Sequence, residues 1–197
     1  MKILAYCYGP LSIDKDTYCE SFVKENKNYS LVNCSDIREQ ISGTKFIKDK
    51  KTELQVRDEI SNQCLKILNL KNKNVIVNGL FLNEESRINL IRSIQDPFKE
   101  NIKKAAIGFL PASPTSTYED LKNSKKFKDL EFDYLRKQFL NFKLAEKQEE
   151  GDVLIDKIDN YSDKFYLETK LWGRDERISC DNFKKIAEYI KYTNSFN

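Results

Sequence analysis

Nine residues near the start of the chain, Gly9-Pro10-Leu11-Ser12-Ile13-Asp14-Lys15-Asp16-Thr17, have types and spacing that could handle a phosphate group. A loop of the pattern G-x-x-x-x-G-K-[ST] between a strand and a helix turns backbone N–H groups toward phosphate oxygens. Its lysine reaches the outer phosphates and its hydroxyl holds Mg²⁺. Gly9 and Lys15 keep this spacing, while Asp14 stands at the second glycine and Asp16 at the hydroxyl. A side chain at Asp14 is expected to be awkward where glycine permits unusual backbone angles, and its charge opposes phosphate. Asp16 can ligate Mg²⁺ through its carboxylate. On the string alone, these residues also read as an ordinary strand-to-helix turn with a surface lysine.

Two further groups carry charge in suggestive places. Ser35-Asp36 before Ile37 and Arg38 has the form of a helix N-cap, which by itself explains both residue types. Lys122, Lys125, Lys126 and Lys128 form a basic run that suits phosphates, or a solvated helix face. Tyr134, Phe139 and Phe142 are spaced as the inward face of a helix, so core is the reading for them, not base stacking.

Composition narrows the chemistry. The 197 residues contain no His, which removes the usual base near neutral pH and excludes Ser-His-Asp and Cys-His hydrolases. Five widely spaced cysteines (Cys7, Cys19, Cys34, Cys64, Cys180) fit reduced thiols in a cytoplasmic chain and leave no structural zinc pattern. Net charge is only +3, too small by itself to argue for nucleic-acid binding. A mean hydropathy of -0.65 and the lack of a long apolar run speak against a membrane span.

The elements that must position these residues alternate. Strands are predicted at Lys2 to Tyr8, Asn28 to Cys34, Asn74 to Gly79, Ala105 to Leu110 and Gly151 to Ile158. Helices are predicted from about Thr17 to Glu25, capped by Asp14 or Asp16, at Ile37 to Ile41, capped by Ser35-Asp36, and at Thr52 to Leu70 and Glu84 to Ile94. Thr117 to Lys128, Phe132 to Glu149 and Asp181 to Lys191 complete the helices. Such alternation implies a mainly parallel sheet covered by helices on both faces, with ligands at the carboxyl ends of the strands. Trp172-Gly173-Arg174 reads as the edge of a core or as a partner contact.

Several segments, in order, resemble the P-loop kinases of the bacteriophage polynucleotide 5'-hydroxyl kinase type. They are the first strand and loop through Lys15 and Thr17, then Val32 to Arg38, similar to that family's D-D-x-x-R. Val75 to Arg87 is similar to its strand followed by D-x-T/N-L-N-P-E-x-R, Tyr118 to Lys126 to its basic lid, and Glu149-Glu150-Gly151-Asp152 to its E-E-G-x-D. The resemblance implies an α/β fold of P-loop NTPase kinase type, three layers with a helical lid. It places the kinase-like domain at residues 1–160, the lid at about 117–142, and a C-terminal extension, 161–197, packed on the same domain.

The resemblance also implies roles. Gly9, Ser12, Lys15, Asp16, Thr17, Lys122 and Lys126 would bind ATP, with Asp16 taking Mg²⁺. Ser35, Arg38, Asn83 and Arg87 would bind the acceptor, and Asp36, Arg38 and Lys15 would carry catalysis. The family's proton-accepting aspartate is Ser35 here, so Asp36 could serve only if the backbone shifts by about one residue. Asn78-Gly79 stand where the family has an acid at a strand end. The implied activity is transfer of the ATP γ-phosphate to a hydroxyl of a nucleic acid, nucleoside or nucleotide. The departures equally suit an inactive pseudokinase that binds or inhibits, and Lys15-Asp16-Thr17 resembles the deoxynucleoside monophosphate kinases of phages.

Overall fold

The computed structural model describes residues 1–180, apart from 48, 71, 99–100, 112, 128, 147, 159–164 and 172–173; beyond residue 155 it describes the backbone. The predicted helix at Asp181 to Lys191, Trp172-Gly173 and Lys128 lie outside the described residues.

Apolar runs bounded by turns form the strands β1 (Lys2–Tyr8), β2 (Tyr29–Asn33), β3 (Asn74–Asn78), β4 (Ile102–Leu110) and β5 (Val153–Ile158). They lie parallel in the order β2-β3-β1-β4-β5, and β6 (Phe165–Leu171) and β7 (Arg174–Cys180) extend the sheet antiparallel beyond β5. The helices are α1 (Ile13–Glu25), α2 (Cys34–Ser42), α3 (Lys50–Asn69), α4 (Glu84–Phe98), α5 (Pro114–Asn123) and α6 (Phe132–Asn141).

Alternation along β1 sets the layers. Leu4, Tyr6 and Tyr8 face a core completed by Ile60, Cys64 and Leu68 of α3 and Leu90 and Ile94 of α4. Ile3, Ala5 and Cys7 face the opposite core with Tyr18, Cys19 and Phe22 of α1. A third cluster joins Leu121, Phe127, Leu130 and Leu135 of the α5–α6 segment to Leu11 of the β1–α1 loop. That segment therefore lies over the loop as a lid. No helix among the described residues is long and apolar enough to cross a membrane.

Several boundaries differ from the sequence pattern. The α6 helix stops at Asn141, because the extended chain after it makes tertiary bonds: Lys143 N–H donates to Leu82 O, and Ala145 N–H to the Tyr8 hydroxyl. The α5 helix starts early, capped by Ser113 with Pro114 in its first turn, and ends at Asn123 instead of reaching Lys128. The β6–β7 hairpin lies in a C-terminal segment whose sequence pattern predicts no strands.

Candidate functional site

The β1–α1 loop is tight at its first residue. Gly9 has φ +134°, and a Cβ there would lie 2.1 Å from the carbonyl oxygen of Phe109, so only glycine fits. The helix cap is Ser12, not Asp14 or Asp16: the Ser12 hydroxyl accepts from Lys15 N–H at 3.2 Å and α1 begins at Ile13. Asp14 consequently sits in an ordinary helical turn and is exposed. The backbone awkwardness expected there is not found, since Gly9 is the one residue of this loop with positive φ. The carboxylate at the helix N-terminus is favourable to α1, although it still opposes a phosphate.

Lys15 is buried, 1% exposed, and its Nζ donates to Gly9 O and Gly79 O, both at 2.7 Å. Burial lowers its pKa from the ordinary lysine value, opposed by the Asp16 charge and the thiols of Cys19, Cys7 and Cys34. Two of the three ammonium protons are thereby taken. Asp16, also buried, accepts from Asn78 Nδ2 at 2.7 Å through Oδ1 and from Lys126 Nζ at 2.6 Å through Oδ2. The Lys126 ammonium is also 3.6 Å from Glu20. Its burial acts to lower its pKa, but the hydrogen bond and charge of Asp16 outweigh that and leave it raised. Thr17 is exposed on α1, and Lys122 is exposed with its ammonium 5.7 Å from the Tyr118 ring centre.

On the other side of the loop, α2 is capped by Asn33, two residues before the predicted cap. Its side chain accepts from Ser35 N–H at 3.2 Å and from the Ser35 hydroxyl at 2.9 Å. Ser35 is buried and, with Lys15, Asp16, Arg38 and Asn78, lines a gap of about 10 Å³, room for at most one water. Asp36 does not line it. Its carboxylate is half-exposed and 3.9 Å from Lys45 Nζ, and the one-residue backbone shift that would exchange it with Ser35 is not seen.

Arg38 belongs both to that gap and to a larger groove of about 420 Å³ between α3 and the start of α4. Its guanidinium is fixed by Glu53, Nε to Oε1 at 2.5 Å and Nη2 to Oε2 at 2.9 Å, with Nη1 donating to Lys45 O. Burial acts to lower its pKa, and Glu53 overcomes this and raises it. Lys50, Arg57, Asn83, Glu85, Ser86 and Asn89 supply the groove's other polar groups, so its charged lining is mixed, against Ile47, Leu54, Phe81 and Leu82. Asn83 is exposed and accepts from Ser86 N–H at 2.9 Å at the head of α4.

Arg87 is not brought to this groove. It is 1% exposed, paired with Glu150 at 2.5 Å, donating to Phe81 O and Lys143 O, with its guanidinium carbon 4.7 Å from the Tyr8 ring centre. Asp152 accepts from Lys104 N–H at 2.8 Å. Two of the sequence segments that carried the resemblance are thus each other's structural partners, joining α4 to the entry of β5.

Sequence reasoning missed two contributors. Gln138 of α6 is buried and its Oε1 accepts Leu11 N–H at 2.9 Å, so the lid holds one amide of the phosphate-type loop. Its signal was a glutamine on the otherwise apolar face marked by Tyr134 and Phe142. Asn78, read only as a lost acid, is the partner that orients Asp16. Among the described residues no three His, Cys, Asp or Glu converge on a metal-sized site. Asp16 is the loop's candidate, and Mg²⁺ commonly takes one carboxylate plus phosphate oxygens, so this donor fits once Lys126 is withdrawn.

No known family model matches the chain, and no curated protein matches it. Solved structures do. The Kti12 protein of Chaetomium thermophilum in complex with ADP-AlF3 is 12% identical, with a TM-score of 0.56 over 95% of this chain and 98% of that one. A fungal RNA kinase is 13% identical, TM-score 0.53, over 82% and 77%. A chain of the Pnkp1/Rnl/Hen1 RNA repair complex is 16% identical, TM-score 0.52, over 71% of this chain but 43% of that one, so this chain spans under half of its length. With the strand order 2-3-1-4-5, these likenesses establish an α/β three-layer fold shared with these proteins.

Proposed function

We propose that the chain is a phosphotransferase that moves the γ-phosphate of ATP to a hydroxyl of a nucleoside, nucleotide or nucleic acid. The observation that carries this reading is continuity. The small gap beside Lys15 and the groove beyond it share Cys34, Arg38 and Leu80 as walls, so a loop lysine and a groove carrying Arg38, Lys50 and Arg57 against Glu53 and Glu85 are continuous at the carboxyl ends of β1 and β3. The third Lys15 proton serves an outer phosphate, joined by Ser12 N–H and, once Gln138 releases it, Leu11 N–H, while Gly9 N–H stays on Leu80 O and Pro10 has none. Asp16 would hold Mg²⁺, which when bound supplies charge neutralisation on the transferring phosphates. Lys126 and, from the exposed face, Lys122 and Thr17 would act from the rim.

Arg38 and the Lys50 and Arg57 cations suit an acceptor carrying phosphate, and the apolar wall suits a base or sugar face. Ser35 faces the gap in place of Asp36 and orients the acceptor hydroxyl. In a loose transition state, positioning and charge do most of the work, and early proton removal is not required. The test is transfer of labelled γ-phosphate to a panel of nucleosides, nucleoside monophosphates and 5'-hydroxyl oligonucleotides. The reading expects one class to be labelled, and Arg38→Ala to raise the acceptor KM at least about tenfold through loss of a charged hydrogen bond. Absence of transfer to every class, at stoichiometric protein, would defeat it.

A second reading, a binding or inhibitory module without turnover, is favoured by the closed lid: Gln138 on Leu11 N–H and Lys126 on Asp16 satisfy the loop with the protein's own groups. The two readings separate in the same panel, since a module binds ATP or a partner but labels nothing.

A further inference from the structure

Asp16 and Asn78 touch at 2.7 Å across the boundary between α1 and β3. Where a loop lysine and Mg²⁺ handle phosphates, the helix position after the lysine ordinarily supplies a hydroxyl and a carboxylate comes from a strand. Here the helix carries the acid and the strand end carries a neutral amide. The single carboxylate is buried, held in one orientation by the amide, and already neutralised by Lys126 from the lid.

We propose that Asp16 is a cation-exchange site, which holds the Lys126 ammonium while the lid is closed and a divalent cation when the lid is released. The Oδ2 atom cannot serve both. A dication at the short distance Mg²⁺ demands would stand within about 4 Å of the ammonium, with like charges opposed in a poorly screened place. Lys126 is tied to the lid's packing through its neighbour Phe127, 2% exposed in the cluster that also contains Leu11. Its backbone follows Lys125 at φ +58°, and its N–H donates to the Ser124 hydroxyl at 3.3 Å. Withdrawal of Lys126 therefore pulls on the contact between lid and loop, and cation entry and lid release become one event. The lid latch stands without the phosphotransfer reading; the completion of the dication's shell by nucleotide phosphates rests on it.

The experiment uses Mn²⁺ alone, without nucleotide, followed by electron paramagnetic resonance on the full chain, with hydrogen exchange across residues 121–138. Lys126→Met is expected to bind Mn²⁺ at least about tenfold more tightly than the wild type, one freed carboxylate being enough for that change. Its lid amides are expected to exchange faster. Asp16→Asn added to Lys126→Met should abolish the gain, whereas Glu20→Gln added to it should not, and Lys126→Arg should behave as the wild type and report that the site is intact. Equal Mn²⁺ affinity in the wild type and Lys126→Met, or unchanged lid exchange, would overturn the proposal. Because neither readout involves ATP, failure here and failure of the phosphotransfer reading are separate results.

Discussion

Lys15 holds a charge where water does not reach, between two carbonyls and beside a carboxylate. Burial places its folded-state pKa below the unfolded value, so between that lowered value and 10.5 the unfolded chain binds more protons. Stability conferred at Lys15 therefore rises with pH through that window, and below it the burial penalty is present in full. The difference in unfolding free energy between wild type and Lys15→Met should shift in favour of the wild type as pH climbs toward 10.5, measured by urea unfolding at a pH series. Lys126, whose folded pKa is raised, runs the other way: its pairing with Asp16 stabilises below 10.5 and is lost as pH passes the raised value. Comparing Lys15→Met with wild type, both of which keep Lys126, removes that contribution.

Arg87 and Glu150 make a different prediction. Both are almost wholly buried, so removing Arg87 leaves the Glu150 carboxylate in the core without its counter-ion. Arg87→Met is expected to cost about 3–5 kcal/mol in urea unfolding, and Glu150→Leu added to it to recover part of that loss. The folded fraction of Arg87→Met should bind nucleotide as the wild type does. A variant of normal stability with an altered acceptor KM would return Arg87 to the acceptor role that the family resemblance implied.

At the scale of elements, α2 and the lid aim the site. Asn33→Ala removes the cap that starts α2 and the acceptor that holds Ser35, and should cost about 1 kcal/mol. Leu135 is fully buried where the lid meets Leu11, so Leu135→Ala should cost about 2–5 kcal/mol of lid packing. Hydrogen exchange should rise in α5 and α6 while β1 and β3 stay protected; uniform loss of protection would mean that the lid is not a separable unit.

Which elements were legible follows from what fixes them. The strands β1 and β3 showed as apolar runs because both faces of each are buried, β2 at the sheet edge showed by a shorter, half-buried apolar stretch, and α3 showed by its period. The ends of α1, α2 and α6 did not show, because each is decided by a competition local pattern cannot weigh. Ser12 caps α1 ahead of two equally suitable aspartates. Asn33, at a strand end, caps ahead of Ser35 and Asp36. The apolar residues after Asn141 keep a helical period, yet backbone bonds to Leu82, Tyr8 and Arg87 hold that stretch extended.

At the scale of the whole molecule, the order 2-3-1-4-5 puts β1 between β3 and β4, so the loop after β1 meets the ends of β3 and, through α2, of β2. Lys15 and Asp16 stand out in the sequence because loop spacing is local, and Ser35 through the segment that resembles D-D-x-x-R. The pairing of Asp16 with Asn78 and Lys126, and of Leu11 with Gln138, joins residues 62, 110 and 127 positions apart, which no single-sequence spacing reveals. On the proposed reading, those pairs are what must part before the loop takes a nucleotide. The most direct test is calorimetric titration of Mg-ATP into the full chain, beside Lys15→Met checked for native circular dichroism. The account predicts micromolar binding by the wild type, weakened at least about tenfold in Lys15→Met, since one charge-assisted phosphate contact is lost. No heat from the wild type at millimolar ATP would contradict it.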